Sequence, residues 1–153
     1  MTDSEAAAVI AANEVFYTSI EKRDLAALTA LLADGPYADS AVMVHPARFP
    51  VVGRKKIEKW WRAFAESGQF TQIFLTDVEA RVSRDVASVS CSEGVLVGLQ
   101  NGTPSASGKL TYRRCVTTNI FVRDTSGAWR LWIHHASQVH ERQPTAGLRA
   151  GEQ

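Results

Sequence analysis

The spacing of apolar residues changes once along this chain, and that change most constrains its fold. Up to Ser67 and Gly68, apolar side chains recur every three or four positions, which is the spacing of amphipathic helices. After Gly68, apolar and polar residues alternate, as they do in strands that bury one face. Because helices precede strands rather than alternating with them, the chain is expected to form an α+β domain.

Three helices are predicted before most of the strands. The first spans residues 4–23 and places Val9 and Phe16 on one apolar side. Asp24 can cap a second, leucine-rich helix, because its carboxylate can accept hydrogen bonds from free backbone N–H groups. A third helix is predicted to begin after Gly53 and to end at Ser67. Its apolar stripe comprises Ile57, Trp60, Trp61 and Phe64.

The strands are expected to form a single antiparallel sheet. A short strand before Pro46 precedes the third helix, Val51 and Val52 are assigned to a loop, and a flexible connection is predicted at residues 98–108. Three helices packed on one strongly curved sheet would leave a cone whose open end forms a pocket. The predicted strands span residues 41–45, 78–82, 86–97, 110–123 and 129–137.

Length and charge exclude several classes of protein. The 153 residues suit a single domain, residues 1–140, followed by a polar tail, residues 141–153. Lys and Arg number 17 against 16 for Asp and Glu, so a net charge of +1 gives no field for recruiting nucleic acid. The basic run from Arg54 to Lys56 is interpreted as a solvated helix start. No nucleic-acid partner is expected.

The chain also lacks the patterns of a membrane or secreted protein. No apolar run approaches the roughly 18 residues that span a bilayer, and Asp3 and Glu5 do not suit a signal peptide. Cys91 and Cys115 lack CxxC spacing and are expected to be buried, reduced thiols. We therefore expect a cytoplasmic protein with no membrane partner.

The last predicted strand contains two adjacent histidines, His134 and His135. Side chains alternate across a strand, so the two imidazoles should face different environments. We expect His135 to face the interior and His134, with Trp132, to face a partner. Alternation alone does not decide between the two histidines.

The preceding strand carries a second group of candidate residues. Asn119 shares a strand face with Phe121 and could donate a hydrogen bond to a substrate carbonyl, or it could tie the sheet to a loop. If no bulge intervenes, Arg113 has the same parity as Asn119. An inward arginine would favour a carboxylate ligand.

Several of these segments resemble the nuclear transport factor 2-like superfamily, in particular its SnoaL-like and ketosteroid isomerase-like branch. The resemblance covers about residues 8–138 and is strongest in the terminal hairpin, where Trp129, His135 and Ser137 also match the association domain of calmodulin-dependent kinases. The other matching segments are residues 16–25, 42–46, 53–61 and 118–121. The resemblance implies a cone-shaped α+β fold that hosts both enzymes and assembly modules.

The resemblance also implies a catalytic residue. His45 stands before Pro46, where ketosteroid isomerases place the aspartate that moves a proton, and imidazole suits that role at neutral pH. The structural alternative is that His45 bonds a loop carbonyl. Phe16 occupies the family's tyrosine position, one residue before Tyr17, and no aspartic acid is evident on the inward strand faces. A steroid isomerase is therefore not expected.

Two classes of function follow from these residues. The first is a cofactor-free isomerase, cyclase or dehydratase acting on an apolar carbonyl compound or a similar small aromatic ligand, with His45 as general base and Asn119 and His135 as polarising donors. The expected ligand-binding residues are Tyr17, Trp61, Arg113 and Phe121, with core packing as the alternative for Tyr17 and Trp61.

The second class is a non-catalytic ligand-binding or assembly module. An exposed sheet face carrying Arg114, Thr118 and Trp132 would then form a homodimer interface. Neither class requires a metal or another cofactor. The four histidines lack HxH or HExxH spacing, and no glycine-rich phosphate loop is present.

Overall fold

The computed structural model describes residues 3–98 and 110–140. The predicted polar tail and most of the connection predicted at 98–108 lie outside the described residues. Within them, the helices α1 (Asp3–Lys22) and α2 (Leu25–Leu31) and two short strands precede the helix α3 (Arg54–Glu66), and four long strands follow. The α+β prediction is confirmed.

The helices form where the apolar spacing predicts them. Asp24 caps α2, since its Oδ1 accepts a hydrogen bond from the backbone N–H of Ala27 at 3.0 Å. Gly53 precedes α3 with a φ of 92°, a conformation that glycine adopts without a Cβ clash. A short 3-10 helix, Gly35–Tyr37, follows α2. None of the described helices is long and apolar enough to cross a membrane.

The strands are β1 (Val42–Val44), β2 (Val51–Val52), β3 (Phe70–Ser83), β4 (Val86–Gly98), β5 (Thr111–Arg123) and β6 (Trp129–Gln138). They form one curved, open sheet with the order β2-β1-β6-β5-β4-β3. Each neighbouring pair is antiparallel except β1 and β6, which run parallel, so the sheet is mixed. A parallel pair needs a long connection, which α3 and the three strands after it supply. Val51 and Val52 form a strand rather than the predicted loop, because they pair with β1.

The core lies between the helices and one face of this sheet. Val9 and Phe16 of α1 are buried there, as their spacing predicts. Cys91 and Cys115 are buried free thiols on the inner face of the sheet. The largest completely buried side chains include Trp61, Phe16, Phe121, Leu28, Leu32 and Met43.

Arg54, the first residue of α3, is not the solvated residue that its basic neighbours suggested. Its guanidinium donates hydrogen bonds to the carbonyl oxygens of Leu32 at 2.7 Å and Thr29 at 2.9 Å. The last carbonyl groups of a helix have no partners within that helix. Arg54 therefore joins the end of α2 to the start of α3.

A β-bulge in β6 determines which of its side chains face the core. Ile120 pairs with Ile133, whereas the next residue of β5, Phe121, pairs with Leu131, so Trp132 is an extra residue in β6. An extra residue reverses the alternation of every side chain beyond it. Leu131 therefore faces inward on one side of the bulge and His134 on the other.

The bulge also changes the predicted position of Trp132. Its ring is half-buried and lies 5.2 Å from the ring of Tyr37, and its Nε1 donates to Ser40 Oγ at 3.0 Å. The sequence predicted that Trp132 would be exposed on the outer face of the sheet. The structure corrects this position, because the indole packs against Tyr37 and Ser40. Arg114 and Thr118 are exposed there.

Candidate functional site

A cavity of about 200 Å³ lies between the inner face of the sheet, α1, α3 and the loop after β1. Its apolar walls come mainly from α1, α3 and the long strands. The apolar lining residues include Phe16, Ile20, Trp60, Phe64, Ile73, Val95 and Val97. The polar lining residues are Tyr17, His45, Arg48, Gln69, Thr71, Glu93, Arg113, Cys115 and His134.

The exposure of these residues distinguishes the floor of the cavity from its mouth. Tyr17, Glu93 and His134 have exposed fractions of 5%, 6% and 3% and form the floor. Arg48 and Arg113 are exposed and line the mouth. A ligand would therefore pass two cations before it reaches the buried polar groups.

His45 lies immediately after β1, where the chain turns at Pro46. Its ring stacks on the indole of Trp60, with ring centroids 4.2 Å apart and planes inclined by 21°. Its Nε2 is buried and has no hydrogen-bond partner within the described part of the chain. Burial, with a smaller contribution from the positive charge of Arg48, lowers the pKa of His45 to about 4. The imidazole is therefore neutral at pH 7.

His134 shares this cavity with His45. The centroids of the two imidazole rings are 5.2 Å apart, and Phe16 lies 5.1 Å from His134 on another side. Burial lowers the pKa of His134 well below its usual range, and the neighbouring His45 and His135 lower it further. The site thus contains two imidazoles that are both neutral at pH 7.

Asn119 determines which nitrogen of His134 carries the proton. Asn119 Nδ2 donates hydrogen bonds to Asn13 Oδ1 at 2.7 Å and to Tyr17 Oη at 3.1 Å. Asn119 Oδ1, 2.7 Å from His134 Nδ1, must then accept the Nδ1 proton. In the neutral ring this leaves the lone pair on Nε2, the nitrogen that could accept a proton.

The same network continues to a buried acidic residue. Tyr17 Oη donates to Glu93 Oε1 at 2.6 Å, and Thr117 Oγ1 donates to the same oxygen at 2.6 Å. Burial raises the pKa of Tyr17 above its usual range, and the adjacent Glu93 and Cys91 raise it further. Tyr17 is therefore a neutral hydroxyl whose proton is already engaged by Glu93.

The predicted site residues separate into those that line the cavity and those that do not. Tyr17, His45 and Arg113 line it. Asn119 lies behind the lining, and both of its amide hydrogens are used within the protein, so it orients His134 instead of contacting a ligand.

His135 does not face the cavity, which corrects its predicted position. The bulge at Trp132 turns His134 inward and His135 to the outer face, where His135 is exposed beside Ser137. Alternation counted from Trp129 and Leu131 does not reveal this reversal.

Trp61 and Phe121 also lie away from the cavity lining. Trp61 is completely buried in the core, whereas Trp60 and Phe64, one helical turn apart, stack with parallel rings and form the wall. The side chains of adjacent residues point about 100° apart around a helix, so the indoles of Trp60 and Trp61 face different surfaces. Phe121 is completely buried, two residues beyond Asn119 along β5.

Several residues of the site were not anticipated from the sequence. Glu93 occupies an inward position of β4 between Cys91 and Val95, so strict alternation in that strand could have identified it. Thr71 lines the cavity with a buried hydroxyl oxygen that has no partner among the described residues. Arg48 and Asn13 are brought to the site by a loop and a helix face, and no local pattern marks them.

The site does not supply a set of metal ligands in the described residues. His45 and His134 approach each other, but no group of three or more histidine, cysteine or acidic side chains in residues 3–98 and 110–140 could hold a metal ion. The polar groups at the cavity are suited to hydrogen bonding and proton transfer.

Comparison with known proteins identifies the family. Residues 9–141 match the model of the SnoaL-like domain. A solved structure of a proposed dehydratase of the NTF2-like family from Streptomyces avermitilis has 32% sequence identity and a TM-score of 0.81, and the match covers 91% of this chain and 99% of that chain. The chain therefore belongs to the SnoaL-like family within the NTF2-like superfamily, as its resemblance implied.

More distant structures share the fold. A ketosteroid isomerase-like protein from Erwinia carotovora atroseptica has 19% identity and a TM-score of 0.69, with 91% of this chain and 99% of that chain covered. The CaMKII hub of S. rosetta has 17% identity and a TM-score of 0.67, with 91% and 100% covered. No curated protein matches the chain significantly. At such low sequence identities, these two structures show only that the fold is shared.

Proposed function

We propose that this protein is a cofactor-free proton-transfer enzyme that acts on a small carbonyl compound as a dehydratase, isomerase or cyclase. The observation that carries the proposal is the pair of neutral imidazoles, His45 and His134, with ring centroids 5.2 Å apart in one largely apolar cavity. General bases must be unprotonated and within reach of the substrate proton. Both rings meet the first condition at pH 7.

His45 is the proposed base. Its ring lines the cavity, and its buried Nε2 has no hydrogen-bond partner among the described residues. Buried polar atoms are almost always hydrogen-bonded in folded proteins, so an unpartnered one beside a cavity favours a ligand there. The unpartnered hydroxyl of Thr71 is the proposed donor to the carbonyl oxygen.

The proposed dehydration requires only the substrate and the imidazole of His45, which takes up a proton and later returns it. His45 takes a proton from the carbon next to the carbonyl group, and the electron pair of that C–H bond forms an enolate. The C–O bond of the β-hydroxyl then breaks as a C=C bond forms, and the His45 imidazolium returns the proton to the departing hydroxide as water. An isomerase or cyclase would use the same abstraction. The similarity to the proposed dehydratase from Streptomyces avermitilis supports the first of these reactions.

The test measures deuterium exchange and dehydration in D₂O by NMR. Cyclohexanone reports abstraction of the α-proton, and diacetone alcohol reports dehydration to mesityl oxide. His45→Gln should lower both rates by about 100-fold, since a positioned general base contributes about 10² to 10⁴. His135→Gln, which removes the exposed imidazole of the outer face, is the matched control and should retain the wild-type rates. Equal rates for wild type and His45→Gln would remove His45 as the base.

A second candidate function, homodimeric assembly, is favoured by the outer face of the sheet. Val116 of β5 and Phe74 of β3 stand on this face with exposed fractions of 52% and 50%, and Tyr112 is 58% exposed. Large apolar side chains gathered on one exposed face are typical of protein interfaces. We propose a second copy of this chain as the partner. The two functions are compatible, because the cavity opens on the opposite face.

A further inference from the structure

Two arginines at the cavity mouth have no anionic partner in the described part of the chain. Arg48 follows β1 and Arg113 lies near the start of β5, and both line the cavity while remaining exposed. Within residues 3–98 and 110–140, neither guanidinium group forms an ion pair or a hydrogen bond. Their charges nevertheless act inside the cavity. Burial lowers the pKa of His45 and the charge of Arg48 lowers it further, whereas Arg113 partly offsets the rise that burial and Glu93 cause in the pKa of Cys115.

Several arginines elsewhere in the fold are engaged by the protein itself. Arg54 binds the carbonyl groups at the end of α2, Arg123 pairs with Glu5 at 3.2 Å, and Arg130 pairs with Asp124 at 2.7 Å. A guanidinium group offers five N–H donors in a planar fork that matches a carboxylate. Two such forks beside an apolar cavity are available to a ligand.

The acidic residue in the cavity does not neutralise this mouth. Glu93 lies at the buried floor, and its Oε1 accepts hydrogen bonds from both Tyr17 and Thr117 at 2.6 Å. Register places Glu93 opposite Cys115 and Arg113 opposite Val95, so Glu93 and Arg113 are diagonal neighbours, yet they form no ion pair. The preferred ligand should therefore combine an anionic group, which suits the positively charged mouth, with an apolar part, which suits the cavity walls.

We infer that the natural ligand is a small aromatic or cyclic carboxylate, whose ring occupies the apolar cavity and whose anionic group is bound by Arg48 and Arg113 at the mouth. This inference rests on the proposed function and specifies its substrate class. The cavity, about 200 Å³, exceeds the roughly 150 Å³ that accommodates benzene in an engineered protein core. A single ring with a short polar substituent therefore suits it.

A carboxylate in this position would also affect the proposed base. Its negative charge would offset that of Arg48, and an anion near an imidazole favours the protonated form. Binding should therefore raise the pKa of His45 from about 4 and make the imidazole a stronger base. An uncharged ligand of the same shape should not do so.

The inference is tested with benzoate and its uncharged isostere benzamide, by calorimetric titration of the full chain. Benzoate should bind at least about tenfold more tightly, because charge-assisted hydrogen bonds are stronger than neutral ones. Arg48→Gln and Arg113→Gln should each remove most of this preference and leave benzamide binding unchanged. Arg62→Gln, on the exposed side of α3, is the matched control and should bind benzoate like wild type.

A second measurement needs no variant. NMR titration of His45 should show a higher pKa with benzoate bound than with benzamide bound. Equal affinities for the two probes, or arginine variants that bind benzoate like wild type, would overturn the inference while leaving the proposed function standing. Binding of neither probe would contradict the ligand cavity itself and the inference with it.

Discussion

At the residue scale, the site depends on two histidines that come from distant parts of the chain. β1 and β6 are parallel neighbours with Met43 opposite His134, which brings His45, two residues beyond Met43, beside the His134 ring. The resemblance to ketosteroid isomerases made His45, before Pro46, a candidate from the sequence. His134 was not, because the bulge at Trp132 is a property of strand pairing and not of local alternation.

The lowered pKa of His45 predicts how stability depends on pH. Well above pH 6.5, its ordinary pKa, the imidazole is neutral in both folded and unfolded chains and contributes almost no difference. As pH falls below 6.5, the unfolded chain gains a proton that the folded chain, with a His45 pKa of about 4, does not bind. Between pH 7 and pH 5 this should lower the free energy of unfolding by about 2 kcal/mol.

Urea unfolding at these two pH values measures the effect. His45→Gln should reduce the difference between pH 7 and pH 5, while His135→Gln, which changes an exposed residue, should retain it. A difference in His45→Gln as large as that of wild type would contradict the burial of a neutral His45.

At the scale of elements, helices and long strands follow local patterns, and their contacts do not. The stripe of α1, the Asp24 cap of α2 and the alternation of β4 are periodic or adjacent features, so they can be read along the sequence. The pairing of β2 with β1 and the position of Arg54 against α2 arise between segments. Local composition made Arg54 look like its solvated neighbours.

Arg54 should therefore contribute measurably to stability. Arg54→Met removes hydrogen bonds to the carbonyl oxygens of Thr29, Leu32 and Ala33 and leaves partly buried acceptors unpaired. We expect the free energy of unfolding to fall by about 2 to 3 kcal/mol in urea denaturation. Arg62→Met, at an exposed position of the same helix, should change it by less than about 0.5 kcal/mol. Equal effects of the two variants would show that the contacts of Arg54 with α2 are unimportant.

At the scale of the whole molecule, the described helices cover one face of the sheet and leave the other face uncovered. The covered face holds the core and the cavity. Phe74, Tyr112 and Val116 stand on the uncovered face, whereas Trp132, predicted to join them, packs against Tyr37. The apolar part of the proposed interface therefore centres on β3 and β5.

The interface can be tested by light scattering after gel filtration. Val116→Glu introduces a charge at the centre of the outer face and should shift the mass from dimer to monomer at equal concentration. Val15→Glu introduces the same charge at an exposed position of α1 and should leave the mass unchanged. A monomeric wild type, or a Val116→Glu variant that remains dimeric, would contradict the interface.

The fold class, the family and the approximate bounds of the helices and long strands could be predicted from the sequence. These depend on periodicity, caps and motifs that involve residues close together in the chain. Tertiary contacts were needed to show which histidine faces the cavity and which indole forms its wall. They were also needed to show that Glu93, Asn119 and Tyr17 belong to one network. One extra residue in β6 reverses a strand's faces, and one helical step separates Trp60 from Trp61. Such differences are settled by packing between segments, which carries no local signature.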